Sequence, residues 1–233
     1  MKIIISPAKK MRRKEEELSE TTRPVFYEEA CRLREELKKM DFGSLKALWN
    51  CNEKIVRENQ ERLCCFEMDR NLTGAVLAYE GIQYQYMAPQ VFTDSQWEYV
   101  KKHLRILSGL YGVLRPQDGV IPYRLEMQAK LKAEGYVDLY DFWGDRLYRE
   151  LTKDDKVILN LASKEYSKII EKYLEKDVRY ITCIFGEEIQ GRIKVKATKV
   201  KMARGEMVRW LSEKQIERPE EIKKFHGLDY RYR

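Results

Sequence analysis

Residues 94–116 read DSQWEYVKKHLRILSGLYGVLRP, and how this stretch is folded decides the organisation of the whole chain. In its first half Trp97, Val100, Leu104 and Leu107 step by three, four and three, the spacing of one helical face, so a helix is expected over 94–107. Thr93 and Gln96 stand at capping-box spacing before it. Gly109 and Gly112 then interrupt the pattern, with Lys101, Lys102 and Arg105 before them and Arg115 after. One reading is punctuation, glycine being a common helix stop. The other is a helix-hairpin-helix, in which a bare turn lets main-chain N–H groups approach a phosphate. Ser108, Gly109, Leu110, Tyr111 and Gly112 supply such a turn, although its glycines lie three apart instead of the usual two.

Working outward, KIIIS at 2–6 is a β-branched run and reads as a strand. Phe26, Ala30, Leu33, Leu37 and Met40 mark a helix that Gly43 should end, and a second helical region runs over 44–66. GAVLAYEG at 74–81 and KVILNLAS at 156–163 are continuous apolar runs, read as strands buried on both faces. Ser163 is placed to cap a helix over about 166–174. RYITCIF at 179–185 and RIKVKATKV at 192–200 complete the strands, and a last helix starts near Ala203. The expectation is a single compact α/β domain over residues 1–233: a mixed β-sheet with flanking helices and a mostly helical, helix-hairpin-helix-like insert at about 81–135.

Composition narrows the function classes. No run approaches the roughly 20 apolar residues of a membrane helix, and the apolar part of MKIIISPAKK is too short for a secretory signal, so no membrane contact and a cytoplasmic location are expected. The five cysteines, Cys31, Cys51, Cys64, Cys65 and Cys183, lack CxxC spacing and suit a reducing compartment. The pair Cys64–Cys65 ends an apolar helical face beside Phe66 and is expected to be buried. With His103 and His226 as the two histidines, neither a metal site nor a cofactor is expected. Net charge is +7, and the cations cluster: Lys2, Lys9, Lys10, Arg12, Arg13 and Lys14 ahead of Glu15, Glu16, Glu17 and Glu20; then Lys101, Lys102, Arg105, Arg115 and Arg124; then Arg192, Lys194, Lys196, Lys199, Lys201, Arg204 and Arg209. These are either solvated faces or one surface assembled by folding to meet a polyanion.

A second constellation points elsewhere. Loops leaving the carboxyl ends of strands share one crevice in α/β folds. Ser6 and Lys9 follow the first strand, Asn160 and Ser163 close the strand at 156, Lys201 and Arg204 follow the run at 192, and Tyr123, Arg124 and Glu126 share a loop after Pro122. Together they would make a pocket for a nucleobase or nucleotide, with Glu126 moving a proton and Arg124 or Lys9 holding an anion. Each has a bland alternative as helix cap, solvated lysine or internal ion pair. No nucleophile elbow, P-loop or dinucleotide fingerprint is present, so the sequence names no catalytic motif.

IISPAKK, HLRILSGLYGVLRPQDGVIPYRLEM, LYDFWGD, VILNLASKEY, KMARGEMVRW and FHGLDYRYR run from residue 3 to the end, and with them the chain resembles the YaaA family of bacterial peroxide-stress proteins. The resemblance implies a cytoplasmic protein that limits peroxide damage and is associated with lower free intracellular iron. It also implies an α/β fold peculiar to the family, a basic cleft and non-specific binding to double-stranded DNA. On that basis the hairpin role falls on Ser108, Gly109, Leu110, Tyr111 and Gly112, and the cleft role on Lys9, Arg124, Lys201 and Arg204.

Overall fold

Ile3, Ile4 and Ile5 are all fully buried, and the strand they form is the middle of a sheet covered on both faces. The computed structural model describes residues 1–13, 21–190 and 192–232; Lys14, Glu15, Glu16, Glu17 and Glu20 of the first charge run lie outside it. The strands β1 (Lys2–Ile5), β2 (Leu104–Ser108), β3 (Gly112–Leu114), β4 (Val157–Asn160) and β5 (Arg179–Thr182) stand in the spatial order β3-β2-β1-β4-β5. β1 pairs in parallel with β2, Ile5 opposite Ile106, and with β4, Ile4 opposite Asn160; β5 runs parallel to β4, and β3 alone is antiparallel. The sheet is mixed, as expected. From β1 the chain goes first to one side and later to the other, so the strand order reverses between β1 and β4.

Helices α1 (Tyr27–Lys38), α2 (Phe42–Trp49), α3 (Glu53–Cys65), α4 (Ile82–Met87), α5 (Asp94–His103), α6 (Leu139–Trp143), α7 (Arg146–Thr152), α8 (Lys164–Glu171) and α9 (Ala197–Glu213) flank it. The capping box of α5 forms as read, Thr93 and Gln96 each accepting from the other's backbone N–H. A single hydrophobic cluster reaches from Met1 to Phe225.

Several expectations are corrected. α5 stops at His103, and Leu104 is already extended, because Ile106 and Leu107 are adjacent and both fully buried. One helical face cannot bury both; a strand inside a covered sheet does. The span 81–135 therefore supplies two strands of the central sheet. Residues 44–66 hold two helices, separated where Asn50 takes a left-handed conformation, and Gly43 sits in the first turn of α2 and does not end α1. The run at 74–81 is buried, but Ala75–Ala78 turn as a short helix between two-residue strands. The strand expected over 192–200 is cut to Arg192–Lys194, paired with Glu187–Ile189 in an exposed two-stranded ribbon, and α9 begins at Ala197. Cys64 and Cys65 are exposed, since the buried face of α3 runs through Val56 and Asn59. Among the described residues no helix is long and apolar enough to cross a membrane.

Candidate functional site

The glycine turn joins β2 to β3 as a β-hairpin, Ser108 pairing with Gly112, and is no helix-hairpin-helix. It faces inward. Ser108, Leu110 and Tyr111 are 0%, 2% and 0% exposed. The Trp143 indole N–H donates to the Gly109 carbonyl at 3.0 Å. A Cβ on Gly109 would run into the Leu125 carbonyl, and one on Gly112, where φ is +71°, would lie 2.8 Å from Leu147 and 2.9 Å from Trp143. These glycines allow close packing, and the turn has no open face for an anionic strand.

The second basic cluster is divided between the two ends of the sheet. Parallel pairing puts Lys101 and Lys102 at the amino ends of β1 and β2, where Lys2 Nζ donates to the Lys102 carbonyl at 3.2 Å. Lys9 and Arg124 lie beyond the carboxyl ends. Most cations named from sequence carry partners already: Lys101 pairs with Glu98 at 2.8 Å, Lys102 with Glu217 at 2.8 Å and Arg115 with Asp118 at 3.1 Å. Arg105 is spent on the carbonyls of Lys101 and Leu104, at 3.1 and 2.7 Å. Lys201 is exposed.

Part of the second constellation meets beyond the carboxyl ends of β1 and β4: Ser6 with Ser163, and Lys9 with Arg124 through Glu126. That is where the strand order reverses and where open α/β sheets place ligands. Ser6, one residue past β1, accepts the Ser163 N–H on its Oγ at 2.8 Å, and the two hydroxyls lie 3.1 Å apart. Ser163 sits at the start of α8, yet its hydroxyl makes no cap; it turns to Ser6 instead. Asn160 is 2% exposed and locks the end of β4. Its Oδ1 accepts the Ala162 N–H at 2.9 Å and its Nδ2 donates to Thr182 Oγ1 at 3.3 Å.

Beside the serines lies a charged group. Lys9 Nζ reaches Glu126 Oε2 at 2.8 Å, and Arg124 Nη2 reaches Glu126 Oε1 at 3.0 Å. Lys9 and Arg124 are thus engaged by Glu126, which leaves neither free to hold a ligand's anion as the sequence suggested. Glu165, unremarked in the sequence although it stands two residues after Ser163, joins this group: its Oε1 accepts the Gln128 N–H at 3.4 Å. Burial pushes the Glu165 carboxyl above the ordinary carboxylate range, and the nearby Glu126 charge pushes it the same way. An open cleft of ≈ 440 Å³ is lined by Lys9, Glu126 and Gln128 together with Trp49 and Asn50 at the end of α2.

A chain of hydroxyls supports the floor. Tyr84 donates to the Ser6 carbonyl at 3.0 Å, the Tyr79 and Tyr123 hydroxyls lie 2.8 Å apart, and Tyr123 meets Ser108 Oγ at 2.6 Å. Burial raises the Tyr123 phenol to about 12, so it serves as a neutral hydrogen-bonding group. Tyr79 falls in the run expected as a strand and Tyr84 just beyond it in α4, and nothing in the pattern there singles them out.

Arg204 approaches from α9. Gly205 lets that helix press against the Gln83 carbonyl of α4, the helix that carries Tyr84. The Arg204 side chain is half-buried beside Cys183, just past β5; burial lowers its pKa, and burial likewise lifts the Cys183 thiol to about 11. Its Nε meets no acceptor, and no carboxylate among the described residues pairs with it. The Gln83 side-chain amide nitrogen is also buried without an acceptor.

The family model described as peroxide stress protein YaaA matches residues 1–233. A UPF0246 protein of Desulfitobacterium hafniense is 54% identical over 233 residues, covering 100% of this chain and 93% of its own. UPF0246 proteins of Pediococcus pentosaceus and Agathobacter rectalis are 49% and 51% identical, again over 100% of this chain and over 93% and 94% of theirs.

Proposed function

The chain belongs to the peroxide stress protein YaaA family, and we propose that it acts there by binding a nucleobase or nucleotide in the crevice at the carboxyl ends of β1, β4 and β5. The observation that carries this reading is Arg204. A half-buried guanidinium whose Nε is shut off from water and which has no carboxylate among the described residues is costly to keep, and the cost is offset when an anionic group of a ligand completes it. Ser6 and Ser163 offer hydroxyls to the polar edge of the ligand, and Asn160 fixes the end of β4 behind them. Glu165 and Glu126 form the proton-moving pair: a half-buried carboxyl that holds its proton to higher pH beside one set between Lys9 and Arg124.

Calorimetric titration with a neutral nucleobase, its nucleoside and its 5′-monophosphate tests the reading. Arg204→Met should weaken the monophosphate by about 10- to 100-fold, as loss of a charge-assisted hydrogen bond does, and leave the nucleobase nearly unchanged. Absence of binding by all three ligands, or equal loss for all three in the variant, would refute it.

A second reading keeps duplex DNA as partner and moves its contact from the buried hairpin to the exposed ribbon. There Ile189 and Ile193 are 38% and 62% exposed, next to Lys194, and Lys201 is an exposed cation in the second turn of α9, the helix that follows the ribbon. A two-stranded ribbon fits a major groove, and contact of this kind weakens steeply with salt. Binding to an arbitrary duplex that is unchanged between 50 and 200 mM salt, or unchanged in Lys194→Glu/Lys201→Glu, refutes it. Limiting free iron is proposed as a cellular consequence of either activity, read as the chelatable iron pool in cells carrying the Arg204→Met or the ribbon variant.

A further inference from the structure

Apart from the crevice, a cavity of ≈ 20 Å³ lies between α1, α2, α3 and the loop Ile121–Arg124. Arg34 Nε, Trp49 Nε1 and Arg124 Nε belong to residues lining it, and all three are buried donors that meet no acceptor. Arg34 and Trp49 are 7% and 4% exposed, and the Arg124 side chain is 10% exposed.

The charges around the cavity do not cancel. Arg124 has Glu126, and Arg62, at the rim, has Glu58. Arg34 gives its Nη2 to the carbonyls of Leu63 and Phe66. Its nearest carboxylate oxygen, Glu35 Oε1, is 3.9 Å away and already takes Lys38 at 2.8 Å. Among the described residues no Asp or Glu lines the cavity, and the Asn59 amide nitrogen there donates to the Ile55 carbonyl at 2.8 Å.

We propose that this cavity is a binding site for one small inorganic anion of halide size, chloride under ordinary conditions. A water molecule would also fit the volume, since about 10–15 Å³ suffices for one, but its two protons need acceptors, whereas the buried unpaired side-chain atoms of the lining residues are three N–H donors. A halide accepts from all three N–H groups and neutralises Arg34, whose buried charge otherwise lacks a close counter-ion. Sulfate and phosphate are too large for the space. The anion would tie α1 and α2 to Arg124, which on its other side holds Glu126 and, at 3.3 Å, the Trp49 carbonyl. Arg124 is thereby a positioning residue set from below by the anion, and this inference stands on its own donors whatever the crevice above it binds.

Thermal unfolding of the full chain tests this, at constant ionic strength with chloride exchanged for gluconate. Chloride should raise Tm by about 5 °C, the shift given by a ligand held well above its Kd in a chain of this length. Trp49→Phe removes one donor and keeps the ring; it should lose at least half of the chloride increment while its Tm in gluconate stays within about 3 °C of the parent. General salt effects act equally on both proteins, so they cannot imitate that difference. Crystals of the unaltered protein grown in bromide should show an anomalous peak among Arg34 Nε, Trp49 Nε1 and Arg124 Nε. No chloride increment, an increment unchanged in Trp49→Phe, or a peak without anomalous signal each overturns the proposal.

Discussion

Gly112→Ala separates a packing role for the glycine turn from a phosphate-binding one. At φ +71° an L side chain costs about 1–2 kcal/mol in backbone strain. The new methyl would also sit 2.8 Å from Leu147 Cδ2 and 2.9 Å from Trp143 Cζ3, inside the range where neighbours must shift, which adds about 1–3 kcal/mol. Alanine restricts the unfolded chain more than glycine does and returns about 0.4–1 kcal/mol, so the net destabilisation is about 2–4 kcal/mol. For a chain of this length each kcal/mol moves Tm by about 2–4 °C, and the expected fall is roughly 5–15 °C. Differential scanning calorimetry at neutral pH measures it. Trp143 also bonds the Gly109 carbonyl, so its near-ultraviolet circular dichroism should change at the same time. A variant whose Tm lies within 1 °C of the parent, with an unchanged aromatic spectrum, would show that the turn is open, and the buried hairpin described above would be wrong.

Ser6→Ala leaves the Ser163 N–H without its acceptor in a partly buried site and should cost about 1–3 kcal/mol, seen as a lower urea midpoint with unchanged m-value. Glu165 has its pKa raised in the folded state, so the unfolded chain ionises first and stability declines as pH rises through the ordinary carboxylate range towards the folded value. Glu165→Gln should therefore flatten that decline and be the more stable protein at pH 7; an unaltered stability-versus-pH curve refutes the assignment. His103 has the opposite sign: burial lowers its pKa below 6.5, so its contribution is present above that pH and is lost as pH falls through it towards the folded value. A neutral replacement, His103→Gln, should reduce the acid-side loss between pH 6.5 and 4.5 in calorimetric scans, and a parent-like loss would refute this.

How much was legible shows best at single elements. Buried apolar runs declared β1 and β4, and the Thr93–Gln96 box declared the start of α5, because pairing inside a covered sheet and capping a helix end leave local marks. The same local marks misled at Leu104–Leu107. Their spacing suits a helix, but an apolar run buried on every side satisfies either period, and pairing with β1 settled the matter. The crevice was half legible. Loops after strands named Ser6, Lys9, Asn160, Ser163 and Arg204, but Glu165 emerged only when α8 was laid beside the 126–128 loop. Likewise charge counting showed where cations cluster in the chain without showing that Lys101 and Lys102 belong to the opposite end of the sheet from Lys9 and Arg124.

By itself, then, the order of residues determined a mixed α/β sheet, the family and the set of polar groups available at the strand ends, since each follows from short-range pattern or from long matching segments. Only the tertiary structure decided that the glycine turn is packed inward and that Glu126 engages both Lys9 and Arg124. It alone brought Arg34, Trp49 and Arg124 around one cavity. Those outcomes depend on which distant neighbour arrives at each group, and burial turns a solvated charge into one that must find a partner.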